Sequence, residues 1–290
     1  MARFLARLVA INDGWAKPFG DFNERWTRAL FRAIAPVRDL LQGRWLGHPL
    51  HAAITDIPIG LLLGSVVLDL IGQPTAADIT LVATILSMVA AAVSGLADYS
   101  ETDGLARTRA TLHATLMTVA LLVLIVSAVL RAGAPADRTV PIALSVIGFL
   151  IVTAGAFVGG DVVYVAGNMV SRHAFRGAGT KWIRLDTGTV ADLALLPEAA
   201  PTKMRAGSND LVVVRVGDTV HAMHDVCAHA GGPLHDGRIV DGCIECPWHA
   251  SRFRLTDGLA KHGPTVYDQP AYEIRAAEAG GYEVRRIAAR

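Results

Sequence analysis

Charge is missing from long stretches of this chain. Residues 79–97, ITLVATILSMVAAAVSGLA, and 140–160, VPIALSVIGFLIVTAGAFVGG, contain no Asp, Glu, Lys or Arg. Cysteine is scarce, with three in 290 residues, all between positions 227 and 246. A disulfide framework would spread an even number of cysteines to close loops, so that class does not fit. The formal net charge is only +1, without the basic excess that nucleic-acid binding uses. No glycine-rich dinucleotide fingerprint is present, so direct oxidation of NAD(P)H is not expected. The opening MARFLARLVAINDGW has Arg7 inside an already short apolar run, which is not the pattern of a signal peptide.

What is there falls into two unlike halves. The 52% hydrophobic content averages an Ala/Val/Leu/Ile/Gly-dominated half with one of ordinary soluble balance. The shift predicts a multidomain chain: an amphipathic segment at 1–45, an all-α four-helix transmembrane domain at 46–170, a linker at 171–180 and an all-β antiparallel sandwich at 181–290. The expected spans are 52–71, 79–97, 111–130 and 140–160, each long enough to cross about 30 Å of hydrocarbon. The first is the least apolar because it holds Asp56, Pro58 and Asp69; the third is interrupted by His113.

Four spans put both ends of the chain on one side of the lipid bilayer. That side carries eight Lys or Arg in residues 1–50, then Arg107, Arg109, Arg172, Arg176, Lys181 and Arg184. The opposite loops offer Arg131 and Arg138. The positive-inside bias predicts a multi-pass protein of the inner (cytoplasmic) membrane with both termini cytoplasmic. Reduced thiols in the second half agree with that compartment. Residues 22–45 read as an amphipathic helix, with Trp26, Leu30, Ile34 and Val37 at helical spacing and Arg25, Arg28, Arg32 and Arg38 around them. It is expected at the membrane interface, arginines toward headgroups.

The chemistry sits in CAHAGGPL, 227–234, and CIECPWHASRF, 243–253. They give Cys227-x-His229 and Cys246-x-x-His249. Zinc takes two cysteines and two histidines tetrahedrally, but its common spacing groups like ligands together. Here each half supplies one of each, in matched order, which suits a binuclear centre with thiolates on one iron and imidazoles on the other. The segment resembles the Rieske family, whose boxes read C-x-H and C-x-x-H. AGGPLHDG is similar to its first cluster loop, and GPTVYDQPAYEIR to its proline loop and following strand, over about 181–287. The resemblance implies a 2Fe–2S cluster held by Cys227, His229, Cys246 and His249, with both histidines near the surface.

Around those ligands, Ser251, Trp248 and Phe253 are the expected neighbours of the cluster. Quinol-oxidising members of the family carry a disulfide between the boxes and a serine and tyrosine that donate hydrogen bonds. Here Gly231 or Gly232 and Trp248 stand at the disulfide positions, Ser251 keeps one donor and Phe253 lacks the other. Fewer donors favour a potential toward the low end of roughly −150 to +300 mV. Ala250 stands where glycine is commoner. Cys243 reads as a buried strand residue, His221 and His224 as ordinary strand residues, and His235 as solvent-facing. LVVVRVGDTVHAMH, turning at Gly217-Asp218, and AYEIRAAEAGGYEVRRI, turning at Gly280-Gly281, read as hairpins that leave both boxes on loops.

LGHPLHAAITDIPIGLLLG, 46–64, resembles the start of a bacterial family of four-helix membrane domains without assigned function, through His48-Pro49, Asp56-Ile57-Pro58 and Gly60. The resemblance supports the architecture and brings no chemistry. Ionisable groups in hydrocarbon are functional suspects. His51 and His113, on parallel spans at similar depth, could ligate haem b, or with Asp56 line a quinone pocket; bonding to Asp56 or to backbone is the structural alternative. The expected function is a membrane-anchored carrier of single electrons, an electron-transfer component rather than a complete enzyme. Only about forty residues follow His249, too few for an oxygenase's mononuclear iron domain. A flavoprotein reductase is the expected kind of donor, and the acceptor is not specified. The alternatives are a membrane oxidoreductase subunit with haem or quinone in the bundle, and a redox sensor or redox-gated transporter.

Overall fold

The computed structural model describes residues 7, 9–133, 136–174, 179 and 181–287. Parts of the expected N-terminal segment (1–6 and 8), of the loop before the fourth span (134–135), of the linker (175–178 and 180, with Arg176) and of the C-terminal domain (288–290) lie outside the described residues. The chain forms two compact units. One runs to Gly43 and resumes over Pro49–Asn168; the other comprises Arg44–His48 and Met169–Arg290.

The first unit is helical. Helices α1 (Asp13–Ala33) and α2 (Ala35–Leu41) precede α3 (Leu50–Ile54) and α4 (Asp56–Leu70), then α5 (Pro74–Tyr99), α6 (Gly104–Ala132) and α7 (Thr139–Gly160), which runs on in a π-helical turn, Asp161–Val165. Among the described residues four spans are long and apolar enough to cross a membrane: Leu50–Leu70, Pro74–Tyr99, Gly104–Ala132 and Thr139–Val165. The first is broken at Thr55. Pro58 has no N–H to give the carbonyl of Ile54, so the helical ladder is interrupted there. Leu62, Leu81, Met88, Ala120, Leu124 and Val152 fill the centre of the bundle, while Ile79, Leu86, Val129 and Leu150 stand exposed on its outside. That inversion of an ordinary soluble surface is what a hydrocarbon solvent requires.

The bundle repeats itself. His51, Leu62, Ser65 and Asp69 of the first span correspond at one constant offset to His113, Leu124, Ser127 and Arg131 of the third. On the second and fourth spans Ala77, Ala91 and Gly95 correspond to Pro141, Gly155 and Gly159. Ser65 Oγ donates to the Ala77 carbonyl at 2.9 Å, and Ser127 Oγ to that of Pro141 at 2.7 Å. Each hairpin is thus one copy of a unit, related to the other by a pseudo-twofold axis. Pairs that contact their own equivalent lie on that axis. Arg131 and Asp69 do so, 2.6 Å apart with side chains only 2% and 1% exposed, and Asp78 and Arg138 complete the cluster.

Helix α1 leaves a stripe of Trp15, Phe19, Phe22, Trp26 and Leu30 exposed while Thr27 and Phe31 are buried. The arginines around it need correction. Arg38 does not face headgroups: it is 3% exposed and donates to Glu101 at 3.0 Å. Arg28 is likewise turned inward, to Glu24 and the Ser100 carbonyl. Burial pushes the Glu101 carboxyl up, with the Arg38 charge working against it. A buried guanidinium keeps its charge by finding a carboxylate, which sequence spacing along one helix does not reveal.

In the second unit, β1 (Ile183–Asp186), β2 (Thr202–Ala206), β3 (Asn209–Val216), β4 (Thr219–His224), β9 (Ala271–Ala276) and β10 (Tyr282–Arg286) close an antiparallel barrel in the order β1-β10-β9-β4-β3-β2. The shorter β5 (Arg238–Val240), β6 (Cys243–Glu245), β7 (Arg252–Arg254) and β8 (Ala260–His262) form a second antiparallel sheet. Closure removes the sheet edges that an open sandwich would leave. The run Leu211–Val214 is buried throughout, 0–1% exposed, because β3 serves two cores. Leu211 and Val213 pack with Met204 and Ala222 inside the barrel; Val212 and Val214 pack with Ile244, Phe253 and Leu255 of the small sheet. Continuous apolar runs are the mark of a strand covered on both faces.

Candidate metal centre

The two cysteine–histidine boxes fold into one turn used twice. In the first, Cys227 N donates to the Gly232 carbonyl at 2.9 Å and Gly231 N returns to the Cys227 carbonyl at 3.0 Å. In the second, Cys246 N donates to the Ser251 carbonyl at 2.9 Å and Ala250 N to the Cys246 carbonyl at 3.0 Å. The fifth residue of each turn is left-handed, Gly231 at φ 89° and Ala250 at φ 59°. Glycine takes that conformation at no steric cost and alanine does not, which explains why glycine is the commoner residue at the second position.

These turns sort the four side chains by type. Cys227 and Cys246 are both buried, and their thiols are close enough to perturb each other. That mutual interaction raises the Cys227 thiol, with burial adding to it, and lowers Cys246 to about 7. His229 and His249 place their ring centres 4.9 Å apart at 87°. Among the described residues no three His, Cys, Asp or Glu gather closely enough to hold one ion. A pair of thiols and a pair of imidazoles is the donor set of a binuclear centre with sulfur on one iron and nitrogen on the other. The space beside the sulfurs is kept by Gly232, where a Cβ would lie 2.9 Å from Cys246 Sγ and 3.0 Å from the Trp248 ring. His249 is half-buried, whereas His229 is 7% exposed, deeper than a surface ligand.

The expected neighbours divide. Ser251 is fully buried and its Oγ accepts from Thr265 N at 3.3 Å, leaving its own proton to give. Phe253 is a fully buried core residue of β7. Trp248 is 52% exposed and stands edge-on to His249. Cys243 is buried in β6, and burial pushes its thiol up. His235 is not solvent-facing: its backbone N and ring Nδ1 both meet the buried Asp225 carboxylate, at 2.8 and 2.7 Å. His224 is more than a strand residue. It is 1% exposed, its Nδ1 accepts from Val226 N, and its ring lies 4.6 Å from His173.

Gln269 and His173 were not singled out by sequence reasoning. Gln269 Nε2 donates to the His224 and Val226 carbonyls, and its Oε1 accepts from Ala228 N at 2.8 Å. His173 Nε2 donates to the Val226 carbonyl at 2.8 Å. Both pin the backbone that carries Cys227. Gln269 lies in the proline loop, and a buried amide there was the available signal; His173, near the linker, offered none.

Residues 186–273 match the family described as Rieske 2Fe-2S domain. The ferredoxin subunit of anthranilate 1,2-dioxygenase from Burkholderia cepacia is 36% identical over 81 residues, 28% of this chain and 75% of that protein. The chain belongs to the Rieske family. A second relative, ferredoxin CarAc of Metapseudomonas resinovorans, is 32% identical over 78 residues, 27% of this chain and 73% of its own length. Among solved structures, the ferredoxin of carbazole 1,9a-dioxygenase from Nocardioides aromaticivorans IC177 is 28% identical, covering 38% of this chain and 99% of that one with a TM-score of 0.31. Residues 47–172 match the family described as Predicted membrane protein (DUF2231). A Rieske domain implies a 2Fe–2S cluster, and the paired cysteines, paired histidines and glycine-kept space fit one.

In the membrane family's region, the structure brings together two of the three residues singled out there. His51 and His113 place their ring centres 6.1 Å apart. Asp56 is exposed at the start of α4 and is not their partner; both histidines bond to backbone instead, His51 Nδ1 to the Ala91 carbonyl and His113 Nδ1 to that of Gly155, each at 2.8 Å.

Proposed function

We propose that this protein is a membrane-anchored carrier of single electrons. Cys227 and Cys246 would bind one iron of a 2Fe–2S cluster, and His229 and His249 the other. The observation that supports this is the sorting of the four side chains into a sulfur pair and an imidazole pair on two copies of one turn. When bound, the cluster accepts and releases one electron. The chain supplies its surroundings: Ile244, Phe253 and Leu255 keep water from the sulfur side, and half-buried His249 offers the more accessible route outward. Ser251 donates toward the cluster, and Phe253 supplies no second hydroxyl, so the potential falls toward the low end for Rieske centres.

The relatives are ferredoxin components of dioxygenases. That supports a carrier served by a separate donor, a flavoprotein reductase, and feeding a separate acceptor. The excess of Lys and Arg on one side of the four spans supports both termini in the cytoplasm and an inner-membrane location. The exposed Trp15–Leu30 stripe of α1 supports an interfacial position for the segment before residue 46, and the composition shift supports a linker over 171–180. A second reading makes the bundle a redox subunit in its own right, with haem b or quinone; the His51–His113 pair favours it.

The test is EPR on the dithionite-reduced full chain in detergent, with iron and acid-labile sulfide assayed together. Equal iron and sulfide with the signal of a histidine-ligated 2Fe–2S centre, all lost in Cys246→Ser, is the expected result. Bound zinc with no such signal overturns it.

A further inference from the structure

The two histidines of the bundle occupy corresponding positions of its internal repeat and bring their ring centres to 6.1 Å. Their surroundings repeat as well. Each Nδ1 lies 2.8 Å from a backbone carbonyl, of Ala91 for His51 and of Gly155 for His113. A carbonyl only accepts, so Nδ1 carries the proton in both rings and Nε2 carries the lone pair. A ring N–H held by a backbone carbonyl is the usual support of a metal-binding imidazole. Four residues beyond each carbonyl stands a glycine. A Cβ at Gly95 would lie 2.9 Å from the His51 ring, and one at Gly159 would lie 3.0 Å from the His113 ring. Each histidine is therefore seated against its neighbouring helix, in the same tautomer, by the same two devices.

The separation says what the pair can hold. A metal about 2 Å from each nitrogen, with each ring centre about 1 Å further back, sets the centres roughly 6 Å apart when the ligands oppose each other and roughly 5 Å apart at a tetrahedral angle. The observed 6.1 Å is a separation at which one metal can lie between the two rings. Among the described residues no third His, Cys, Asp or Glu joins the pair. A metal held from two opposite sides by protein, in hydrocarbon without other donors, needs its equatorial positions filled by the group it arrives in. A tetrapyrrole supplies four coplanar nitrogens and is itself a flat apolar body.

We infer that His51 and His113 are the two axial ligands of a haem seated on the axis of the bundle. This rests on the second reading of function and is independent of the cluster in the other unit. The chain's own part is to present two Nε2 lone pairs from opposite sides, with ring planes crossed at 81°.

The experiment titrates haemin into the detergent-purified full chain, followed by absorption and EPR, with the 2Fe–2S signal and far-UV circular dichroism as separate reports on each unit. One equivalent of low-spin haem is expected, with a sharp Soret band and a resolved α-band on reduction. Crossed imidazoles should give the strongly anisotropic, large-g form of the low-spin EPR signal. His51→Ala and His113→Ala should each abolish the low-spin spectrum while helicity stays unchanged, and His113→Met should restore a six-coordinate haem with a shifted α-band. A helical protein that takes up no haem overturns the inference, as does haem binding that survives in the double alanine variant. Stoichiometric uptake of zinc or cobalt with no uptake of haemin overturns it too. Loss of the 2Fe–2S signal alone sinks the carrier reading and leaves this one standing.

Discussion

His229 and His249 bring their rings to 4.9 Å at 87°, whereas His51 and His113 bring theirs to 6.1 Å at 81°. The planes cross alike in both pairs, and the separations differ by about 1 Å. The routes to those positions differ more. The loop pair is set within a few residues, by a turn whose amide closes on the cysteine carbonyl and whose fifth residue is left-handed. The helix pair is set by partners some forty residues away, a carbonyl to hold Nδ1 and a glycine to admit the ring. A side-chain pair on loops can be written in contiguous sequence; a pair between helices is written in what the neighbouring helix leaves out.

The comparison breaks most severely at the other end of the bundle axis. Arg131 and Asp69 are both nearly inaccessible, and Arg131 also meets Asp78 at 2.9 Å and Ser145 Oγ at 3.0 Å. Removing one partner leaves a carboxylate buried without its closest counter-charge, and such losses cost about 3–5 kcal/mol. Arg131→Leu is therefore expected to lower the thermal midpoint of helix loss in detergent sharply. In the β unit the analogous change should do little. Arg205 is 66% exposed where it meets Asp210, and a pair of that kind contributes about 0–1 kcal/mol. Arg205→Leu should leave the melting of the barrel nearly unchanged; an equal effect in the two variants would refute the distinction.

These contrasts track what could be read from sequence. The four spans showed themselves as runs without charge, and the β unit as two hairpins turning at Gly217-Asp218 and Gly280-Gly281, because both signals are local. The pairing of Cys227 with Cys246 and of His229 with His249 was legible for the same reason, since the order of residues within each box is contiguous. The inward turn of Arg38 was not, because its partner Glu101 lies far along the chain. Nor was the internal repeat, whose clearest trace is Leu50-His51-Ala52 and Leu112-His113-Ala114. Its helices diverge at almost every lipid-facing position, where any apolar residue serves, and agree at buried positions such as His51/His113, Leu62/Leu124 and Ser65/Ser127, while Asp69 and Arg131 differ in order to pair.

A smaller effect separates the two boxes from each other. Ser251 Oγ already accepts from Thr265 N, so its proton is the one hydroxyl hydrogen this box can direct to the cluster. A hydrogen bond to a charged acceptor contributes about 1.5–3 kcal/mol. It favours the reduced, more negative state, and for one electron each tenfold in the equilibrium is about 59 mV. Ser251→Ala is thus expected to lower the midpoint potential by roughly 60–130 mV in a redox titration followed by EPR. An unchanged potential would mean that the hydroxyl points elsewhere.

The smallest effect concerns one methyl group. The same turn is closed by Gly231 in the first box and by Ala250 in the second, at φ 89° and 59°. A left-handed non-glycine residue carries about 1–2 kcal/mol of steric strain. Glycine at that position removes the strain but widens the unfolded ensemble, which offsets about 0.4–1 kcal/mol. Ala250→Gly should therefore stabilise the Rieske unit by roughly 0.5–1 kcal/mol, read as a higher temperature for bleaching of the cluster absorption. Its Cβ is exposed, so no packing is lost to confuse the sign. A lower bleaching temperature would show that alanine restricts this loop in a way the cluster depends on, and the two turns would then be alike in hydrogen bonding but not in what they hold.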